Sequence, residues 1–360
     1  MQVDSWKSVS SGSDHDFFSL LVTDKDCDDW REYPYDVGKL HFPRDEGIHD
    51  FKHEWWYLNL HLVNLESNKK YDVMLTYFPK QELLPVPVRY FMITDRSNSM
   101  YSPSKTYTFG SMKVSDKKQD IRFRKGLRFD SWIQLDTGFA FEYEVNVDNG
   151  RNGLFVLMRL RRPPLPVNGD GYTPSGIGGY SYYYSLTRLN VAGYLKLDDK
   201  NIPVVGIGWV DHQFGDYHQT DKTETYEWFC MQLDNNVDII CWYAYADGKL
   251  VNPIMTILRS NNEVVVANDS FTIETLDYWL SPKFHKYGSK WRITEKKHKL
   301  DVIVTPVIPN QLSYIPYPFE EKGKKRIYLT GLYEGSTTIE GTFNRKPVRG
   351  MGYAELTHTY

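Results

Sequence analysis

The chain repeats itself, because each half opens and closes on the same pair of motifs. Glu54–Leu60 recurs as Glu227–Leu233, so each half begins with Glu-Trp-aromatic. Pro203–Asp211 recurs as Pro347–Glu355, so each half ends with Pro-Val-x-Gly-x-Gly-aromatic-x-acid. A chain of 360 residues is long enough for two domains of ordinary size, each with its own core. Two domains arising from an internal duplication are the simplest interpretation, and a site between them is the default expectation.

The local pattern inside each half is typical of β-strands. Tyr, Val, Ile and Thr alternate with polar residues in short runs, and Asn, Asp, Gly and Pro separate the runs, as in strands joined by hairpins. Helical periodicity is scarce, so an all-β protein is predicted. The runs that predict strands are His53–Val63, Lys70–Phe78, Phe139–Val147, Phe155–Leu160, Tyr180–Leu189, Val237–Tyr245 and Ile327–Leu332.

The two halves meet in a polar stretch. Asp216–Thr225 has no strand pattern and is interpreted as the connection between domains. We therefore expect a first domain over residues 38–218 and a second domain over residues 219–360. Residues 1–37 precede the first repeat and are interpreted as an extension packed on the first domain.

Charge and cysteine content narrow the range of partners and compartments. The net charge of −3 and the pI near 6.4 leave no basic footprint for a nucleic acid, so none is expected. Cys27, Cys230 and Cys241 are an odd number without C-x-x-C spacing, which argues against a disulfide framework and favours a reducing cytoplasm. The apolar run Phe17–Val22 is too short for a signal peptide or a membrane span. No transmembrane segment is predicted, and only a transient contact with a membrane surface stays open.

Three acidic residues fall where a strand normally places an apolar side chain. Glu54 alternates with Trp56 and Leu58, Asp211 alternates with Trp209, and Glu227 alternates with apolar residues of its own run. A carboxyl group in apolar surroundings loses hydration of its charged form, so its pKa rises and it becomes a usable proton donor.

The alternative is that these acids only stabilise the fold, by accepting hydrogen bonds from backbone amides or by pairing with Arg188. Because the motif occurs in both halves while one active site needs one set, the structural role is favoured for Glu54, Glu227 and Glu355. For Asp211 the catalytic role and the structural role have equal weight, since the polar, turn-forming run His212–Gly215 follows it and has no counterpart after Glu355.

A tyrosine-rich strand is a second candidate for ligand binding. Alternation places Tyr182, Tyr184, Leu186 and Arg188 on one face. Aromatic rings in a cavity can bind an extended apolar ligand and stabilise a developing cation through their π faces. Ordinary core tyrosines are the alternative, and that interpretation has at least equal weight.

Other motifs do not support a cofactor. His49 and His53 are four residues apart, but a metal pair at that spacing requires a helix, and His53 begins a predicted strand. No metal is therefore predicted. Gly176–Gly179 lacks the strand-to-helix context of a dinucleotide loop, and neither a P-loop nor a Gly-x-Ser-x-Gly elbow occurs. Nucleotide binding and serine hydrolysis are thus disfavoured, and no cofactor is expected.

Five motifs occur in order along the chain: Leu40–Gly47, His53–Tyr57, Tyr182–Arg188, Gly208–Gly215 and Gly352–Thr357. This ordered set resembles the carotenoid 1,2-hydratase family and its AttH-like relatives over residues 38–360, and is closer to the AttH-like branch. The resemblance implies two tandem lipocalin-like β-domains and a cavity at or near their junction. It also implies chemistry without an organic cofactor, because the family includes hydratases of terminal isoprenoid double bonds and distantly similar fungal Diels–Alder cyclases.

One position departs from the family pattern. Many relatives have Asp-His-Glu-Trp-Gly where this chain has Gln213 and Phe214 after Asp211 and His212. A carboxylate beside Asp211 is therefore missing, and the resemblance to the carotenoid hydratases themselves is weaker.

The leading hypothesis is a cofactor-independent hydro-lyase or isomerase (cyclase) that protonates an alkene of a small lipophilic isoprenoid or polyene. Asp211 is the predicted acid, with Glu54 second. The alternatives are a pericyclase that enforces a reactive conformation without proton transfer, and a non-catalytic carrier of apolar ligands. The predicted substrate-binding residues are Trp55, Trp56, Tyr182, Tyr184, Trp209, His212 and Trp228.

Overall fold

The protein consists of β-strands with two short 3-10 turns, Arg44–Glu46 and Arg96–Asn98, in the part of the chain that the structure describes. No helix there has the length and hydropathy to cross a membrane. The computed structural model describes residues 36–79, 86–98, 100–101, 106–175, 179–217, 225–321 and 324–360.

Within the described residues, sixteen strands precede the junction between the halves. β1 and β2 form a two-stranded ribbon, and β3 to β16 form one 14-stranded antiparallel sheet that curls into a nearly closed barrel. The strands are β1 (Asp36–Val37), β2 (Leu40–His41), β3 (His53–Asn64), β4 (Lys70–Phe78), β5 (Val88–Asp95), β6 (Met100–Tyr101), β7 (Thr106–Phe109), β8 (Ser111–Val114), β9 (Asp120–Lys125), β10 (Arg128–Gln134), β11 (Glu142–Asn149), β12 (Asn152–Leu160), β13 (Leu165–Pro166), β14 (Tyr172–Ser175), β15 (Gly179–Leu197) and β16 (Lys200–Asp216).

Eleven strands follow in the part of the second half that the structure describes, and they form a second antiparallel sheet with the shape of a half-barrel. They are β17 (Thr225–Leu233), β18 (Asp238–Ala246), β19 (Lys249–Leu250), β20 (Ile254–Leu258), β21 (Val264–Val266), β22 (Phe271–Leu280), β23 (Lys286–Glu295), β24 (Leu300–Pro306), β25 (Leu312–Glu321), β26 (Lys324–Phe343) and β27 (Lys346–Leu356).

The two sheets share their strand order, which confirms the predicted all-β fold of two tandem lipocalin-like domains. The first sheet contains the order β5-β4-β3-β16-β15-β12-β11, and the second contains β20-β18-β17-β27-β26-β24-β23. In each sheet the strand that opens the repeat pairs with the strand that closes it. The domain boundary predicted at residue 218 lies outside the described residues, as do Phe17–Val22, Cys27 and all but the last two residues of the 1–37 extension.

The glycines of the repeated closing motif allow this pairing. A Cβ atom on Gly206 would lie 2.0 Å from the carbonyl oxygen of His61 on β3, and one on Gly352 would lie 2.0 Å from that of Cys230 on β17. No side chain fits at such a distance, so the strands approach closely only with glycine at these positions. The repeated Gly-x-Gly is therefore a packing requirement of both domains.

The sheets bury both of their faces at the centre of the molecule. Each barrel has its own apolar core. A third cluster lies between the domains and joins the outer face of β3, β4, β5, β15 and β16 to the outer face of β17, β18, β20, β26 and β27. Because the central strands are covered on both sides, they read as nearly continuous apolar runs with buried polar exceptions.

A buried polar link between the domains surrounds Asp238 of β18. The Asp238 carboxylate accepts hydrogen bonds from the Arg162 guanidinium, the Arg188 guanidinium and the Thr187 hydroxyl, each at 2.8 Å. Asp238 is fully buried. The prediction that Arg188 shares a face with Tyr184 is wrong, because the register between β15 and β16 shifts after Leu186 and turns Arg188 toward the second domain.

This link leads to a prediction about stability. Asp238→Ala leaves two buried guanidinium groups without their carboxylate, so we expect the free energy of unfolding to fall by about 3–5 kcal/mol. Urea denaturation measures this loss. Glu263→Ala is the matched control, because Glu263 pairs with Arg259 at the surface and should change the value by less than about 1 kcal/mol. Equal effects of the two substitutions would contradict a central role of Asp238.

Candidate active site

Strand alternation divides the predicted site residues between two faces of the first sheet. Asp211 on β16 lies opposite Tyr57 of β3, whereas His212 lies opposite Trp56. Successive side chains of a strand point to opposite faces. Asp211 therefore faces the second domain, and His212 faces the interior of the first barrel. The two predicted acids therefore lie on opposite faces of the first sheet, because Glu54 shares the interior face with His212.

The Asp211 carboxylate lies in the interdomain cluster and is 2% exposed. One oxygen, Oδ1, accepts hydrogen bonds from the Ser185 hydroxyl at 2.5 Å and from the Trp209 indole at 2.8 Å. The other, Oδ2, accepts one from the Tyr183 hydroxyl at 3.1 Å. Three donors thus hold the carboxylate in one orientation on an otherwise apolar face.

Burial raises the pKa of Asp211 to about 7. The hydrogen bonds from Ser185, Trp209 and Tyr183 act against this rise, and the nearby Glu355 carboxyl adds to it. Both protonation states are therefore populated near neutral pH, which is the condition for an efficient acid that must be regenerated. The alternation of Asp211 with apolar residues predicted this direction of the pKa shift.

Aromatic and acidic side chains of both domains surround Asp211. The Trp228 indole donates to the Tyr183 hydroxyl at 3.2 Å, and the Tyr57 ring contacts Trp228 with a centroid distance of 5.8 Å. The Tyr57 hydroxyl donates to Glu334 at 3.4 Å. Trp55, partly buried, packs against the same cluster. The interdomain face thus combines an acid with π surfaces that suit a cation.

A second pair of carboxyl groups belongs to this face. Glu355 lies opposite Glu334 in the pairing of β26 with β27 and accepts a hydrogen bond from the Tyr226 hydroxyl. Burial raises the pKa of Glu355, and its hydrogen bonds with Tyr226 and Glu334 oppose the rise. Two adjacent carboxyl groups share protons more readily than they ionise together. The charge of Glu355 contributes to the raised pKa of Asp211, so the two carboxyl groups lie near each other across the domain interface.

The other predicted group lies inside the first barrel. Glu54 Oε1 forms hydrogen bonds with His49 Nδ1 at 2.9 Å and with His212 Nε2 at 3.0 Å. The remaining ring nitrogen of His49 contacts Asp45 at 3.3 Å, and that of His212 contacts the Tyr184 hydroxyl at 3.3 Å. Buried acids, histidines and a tyrosine form one hydrogen-bonded chain.

The expected rise of the Glu54 pKa is wrong. Burial does raise the pKa of Glu54, but the hydrogen bonds with His212 and His49 outweigh burial, so the net pKa lies below its ordinary value. Glu54 is ionised near neutral pH and is a poor proton donor. The sequence did not indicate that His212 and His49 would meet Glu54, since they lie on different segments.

One potential metal-ligand atom from each of His49, Glu54 and His212 lies within 4.8 Å of the other two. Imidazole and carboxylate groups are ligands that a divalent cation can use. The hydrogen bonds to Glu54 account for the burial of both imidazoles without a cation. His53, which is four residues from His49, does not belong to this group. Its ring stacks on the Tyr217 ring with a centroid distance of 4.4 Å.

The remaining predicted residues line the same interior. Trp56 stacks on His212 with a centroid distance of 4.5 Å, and Tyr182 stacks on Phe214 at 5.4 Å. Tyr184 is fully enclosed. A cleft of about 420 Å³ adjoins this region and has His49 in its wall. It is lined by Ile48, His49, Asp50, Pro79, Met112, Val114 and Asp116.

Glu227 is the counterpart of Glu54 in the second barrel. Its carboxylate accepts hydrogen bonds from the Trp291 indole at 3.1 Å and the Tyr360 hydroxyl at 2.8 Å. Burial raises the pKa of Glu227, and these hydrogen bonds oppose the rise. No residue of the interdomain cluster takes part in these bonds, so Glu227 anchors the interior of its own barrel.

Sequence reasoning missed Tyr183, Ser185, Tyr57 and Glu334. A signal for two of them was present: Tyr183 and Ser185 alternate with Tyr182 and Tyr184 on β15 and therefore occupy its opposite face. Their pairing with Asp211 depends on the register of β15 against β16, which only the folded sheet establishes.

The raised pKa of Asp211 predicts a difference in pH dependence. A carboxyl group with a raised folded-state pKa stabilises the protein below its unfolded-state pKa, and this stabilisation is lost as the pH rises toward 7. Asp211→Asn does not titrate. We expect the free energy of unfolding of the variant, relative to the unsubstituted protein, to increase by up to about 1.4 kcal/mol per pH unit between about pH 4 and 7 and to level off above.

Urea denaturation of both proteins at several pH values measures this difference. A difference that is constant with pH, or that shrinks as the pH rises, would contradict a raised pKa.

Solved structures share this fold. An AttH protein of Nitrosomonas europaea has a TM-score of 0.70 at 20% identity, covering 91% of this chain and 99% of its own. Kievitone hydratase from Nectria haematococca has a TM-score of 0.68 at 16% identity, covering 91% and 98%. CghA in complex with Sch210972 has a TM-score of 0.57 at 11% identity, covering 92% and 97%. At these identities the likeness concerns the fold.

A comparison with curated protein sequences gave no match. A family model described as AttH-like matches residues 34–359, which is nearly the whole chain and includes both repeats and the interdomain acids. The protein therefore belongs to the AttH-like family.

Proposed function

We propose that this protein is a hydratase or cyclase that acts on a small lipophilic natural product by protonating a carbon–carbon double bond. The observation that carries the proposal is Asp211, a buried acid with a pKa of about 7, held by three donors on an apolar interdomain face. An acid of this kind can donate a proton at neutral pH and be restored within the same catalytic cycle.

The proton on Asp211 would pass to one alkene carbon and leave a carbocation on the other. In a hydration, water adds to the cation and returns one of its protons to the Asp211 carboxylate, so no proton is consumed. In a cyclisation, a second double bond attacks the cation, and Asp211 takes back the proton lost from the product. The two reactions differ only in what reaches the cation.

The surrounding rings suit a positively charged intermediate. Trp209, Trp228 and Tyr57 are buried on the face that bears Asp211, and their π surfaces stabilise positive charge more strongly where water is excluded. The carboxyl groups of Glu334 and Glu355 add negative potential from the second domain. The substrate would lie between the sheets, with the apolar cluster enclosing it.

Tyr183 would act as a positioning residue. It accepts a hydrogen bond from Trp228 of the second domain and donates one to Asp211. The orientation of the acid therefore depends on both domains being in place. Tyr183→Phe should lower the turnover number and shift the pH dependence, because it removes a hydrogen bond that lowers the pKa of Asp211.

The relatives support this choice of chemistry. A protein named for hydration of kievitone shares the fold over nearly the full length of both chains. A second structure with the fold holds Sch210972. Cofactor-free addition or cyclisation on a natural product is therefore the class we propose, and a terpenoid or polyene is the proposed substrate type.

The test is turnover in D₂O, with kievitone, acyclic isoprenoids and polyenes as candidate substrates and mass spectrometry of the products. We expect a deuterated product from the unsubstituted protein. Asp211→Asn should lower the turnover number by about 10²- to 10⁴-fold. A mass gain of one water distinguishes hydration from cyclisation.

Glu227→Gln is the matched control, because it exchanges an equally buried carboxyl for an amide outside the interdomain face. It should leave turnover within a few-fold. Undeuterated isomers formed at the same rate by Asp211→Asn would favour the pericyclase instead. Loss of turnover in Glu54→Gln alone would transfer the reaction to the first barrel, and recovery of unchanged bound ligand would favour a carrier.

A further inference from the structure

The hairpin between β22 and β23 has an unusual surface. β22 is the edge strand of the second sheet, and apolar side chains are exposed on its half nearest the tip: Leu276 is 42% exposed, Tyr278 38% and Leu280 58%. Thr272, Glu274 and Asp277 are the other exposed residues of this strand. At the tip, Phe284 is 83% exposed. An exposed, apolar edge strand is normally shielded or charged, since it otherwise attracts other surfaces.

Basic residues accompany this apolar surface. Lys283, Lys286 and Lys290 lie in the hairpin, and the chain has neither Asp nor Glu between Tyr278 and Thr294. The Lys286 ammonium lies 3.7 Å from the centroid of the Tyr278 ring. Lys290 lies opposite Asp277 in the pairing of the two strands. The tip therefore combines exposed apolar groups with the positive charge of Lys283 and Lys286.

Phe284 has a left-handed backbone conformation although its side chain is exposed. Its φ is +63°, and its N–H donates to the carbonyl oxygen of Ser281 at 2.9 Å to close the turn. Asn and Gly adopt this left-handed conformation at low cost, whereas a bulky residue there is an outlier. Phe141 has a similar φ of +54°, but it is fully buried and stabilises the first core. Phe284 buries almost nothing in return.

We propose that the β22–β23 hairpin docks this protein on the surface of a membrane that contains anionic phospholipids. Phe284 and Leu280 would enter the boundary between headgroups and acyl chains, and Lys283 and Lys286 would contact the anionic headgroups. An aromatic and aliphatic tip flanked by basic residues suits this boundary, where apolar burial and charge attraction act together. The inference is independent of the reaction proposed above.

Charge favours a membrane over a second copy of the chain as the partner of this surface. A second copy of the chain would bring Lys283 and Lys286 against the same two lysines, since an isologous contact places the same patch on both partners. An anionic membrane instead offers opposite charge and an apolar layer at the depth that Phe284 would reach. The edge position of β22 leaves room for such a planar surface.

The test is co-sedimentation of the full chain with phosphatidylcholine vesicles that contain about 30% phosphatidylserine, compared with phosphatidylcholine alone. We expect binding to the mixed vesicles that weakens as salt screens the lysines. Phe284→Asn should bind at least about tenfold more weakly, because it removes the apolar group that enters the membrane. Its melting temperature should be equal or higher, since Asn favours the left-handed conformation.

The combined Lys283→Gln and Lys286→Gln variant should weaken binding to mixed vesicles by about fivefold for each lysine. Val266→Asn is the matched control, because Val266 is 45% exposed on the opposite edge strand, β21, where the nearest charged residues in the sequence are the acids Glu263 and Asp269, and its loss should leave binding unchanged.

Several results would overturn the proposal: no binding to mixed vesicles, an equal loss with Val266→Asn, or a fall in melting temperature of Phe284→Asn that accounts for the loss. A dimer in sedimentation velocity that Phe284→Asn dissociates, without vesicle binding, would assign the hairpin to a contact between copies of the chain.

Discussion

The packing of the first sheet against the second is the constraint on which the candidate site depends. Asp211 has a raised pKa only because the second domain covers the outer face of β16 and excludes water from it. Trp228 and Glu355 of the second domain reach Tyr183 and Asp211, so the acid is oriented by one domain and tuned by both. Neither barrel alone contains this environment.

The duplication places the same motif in two physical settings. Glu54 and Glu227 open their repeats inside the barrels, where each anchors a hydrogen-bonded interior. Asp211 and Glu355 close their repeats on the outer faces, where the two sheets meet. A pair of equivalent domains packed by these faces brings two equivalent acids to one interface. The interface, rather than either barrel, therefore has the chemistry that a single domain lacks.

Alternation along single strands predicted much of this arrangement. It placed Asp211 with Trp209 and Glu54 with Trp56, and both pairs are found. It was less successful where the outcome depended on several segments. Glu54 was expected to be a proton donor, but His49 and His212, brought from separate segments, lower its pKa. Arg188 was placed on the wrong face because a bulge is a property of the pairing between two strands.

The amino-acid sequence by itself determined the fold class and the duplication, because period-two alternation and close-packed glycines are local requirements that each strand carries with it. It also determined that some acids lie among apolar neighbours. Only the tertiary structure decided which face is interior and which is interdomain, and therefore that Asp211 and Glu54 belong to separate groups. The physical reason is that alternation defines two faces of a strand without saying what covers each one. Long-range contacts determine what covers each face, and the surroundings that they create set the pKa of each buried acid.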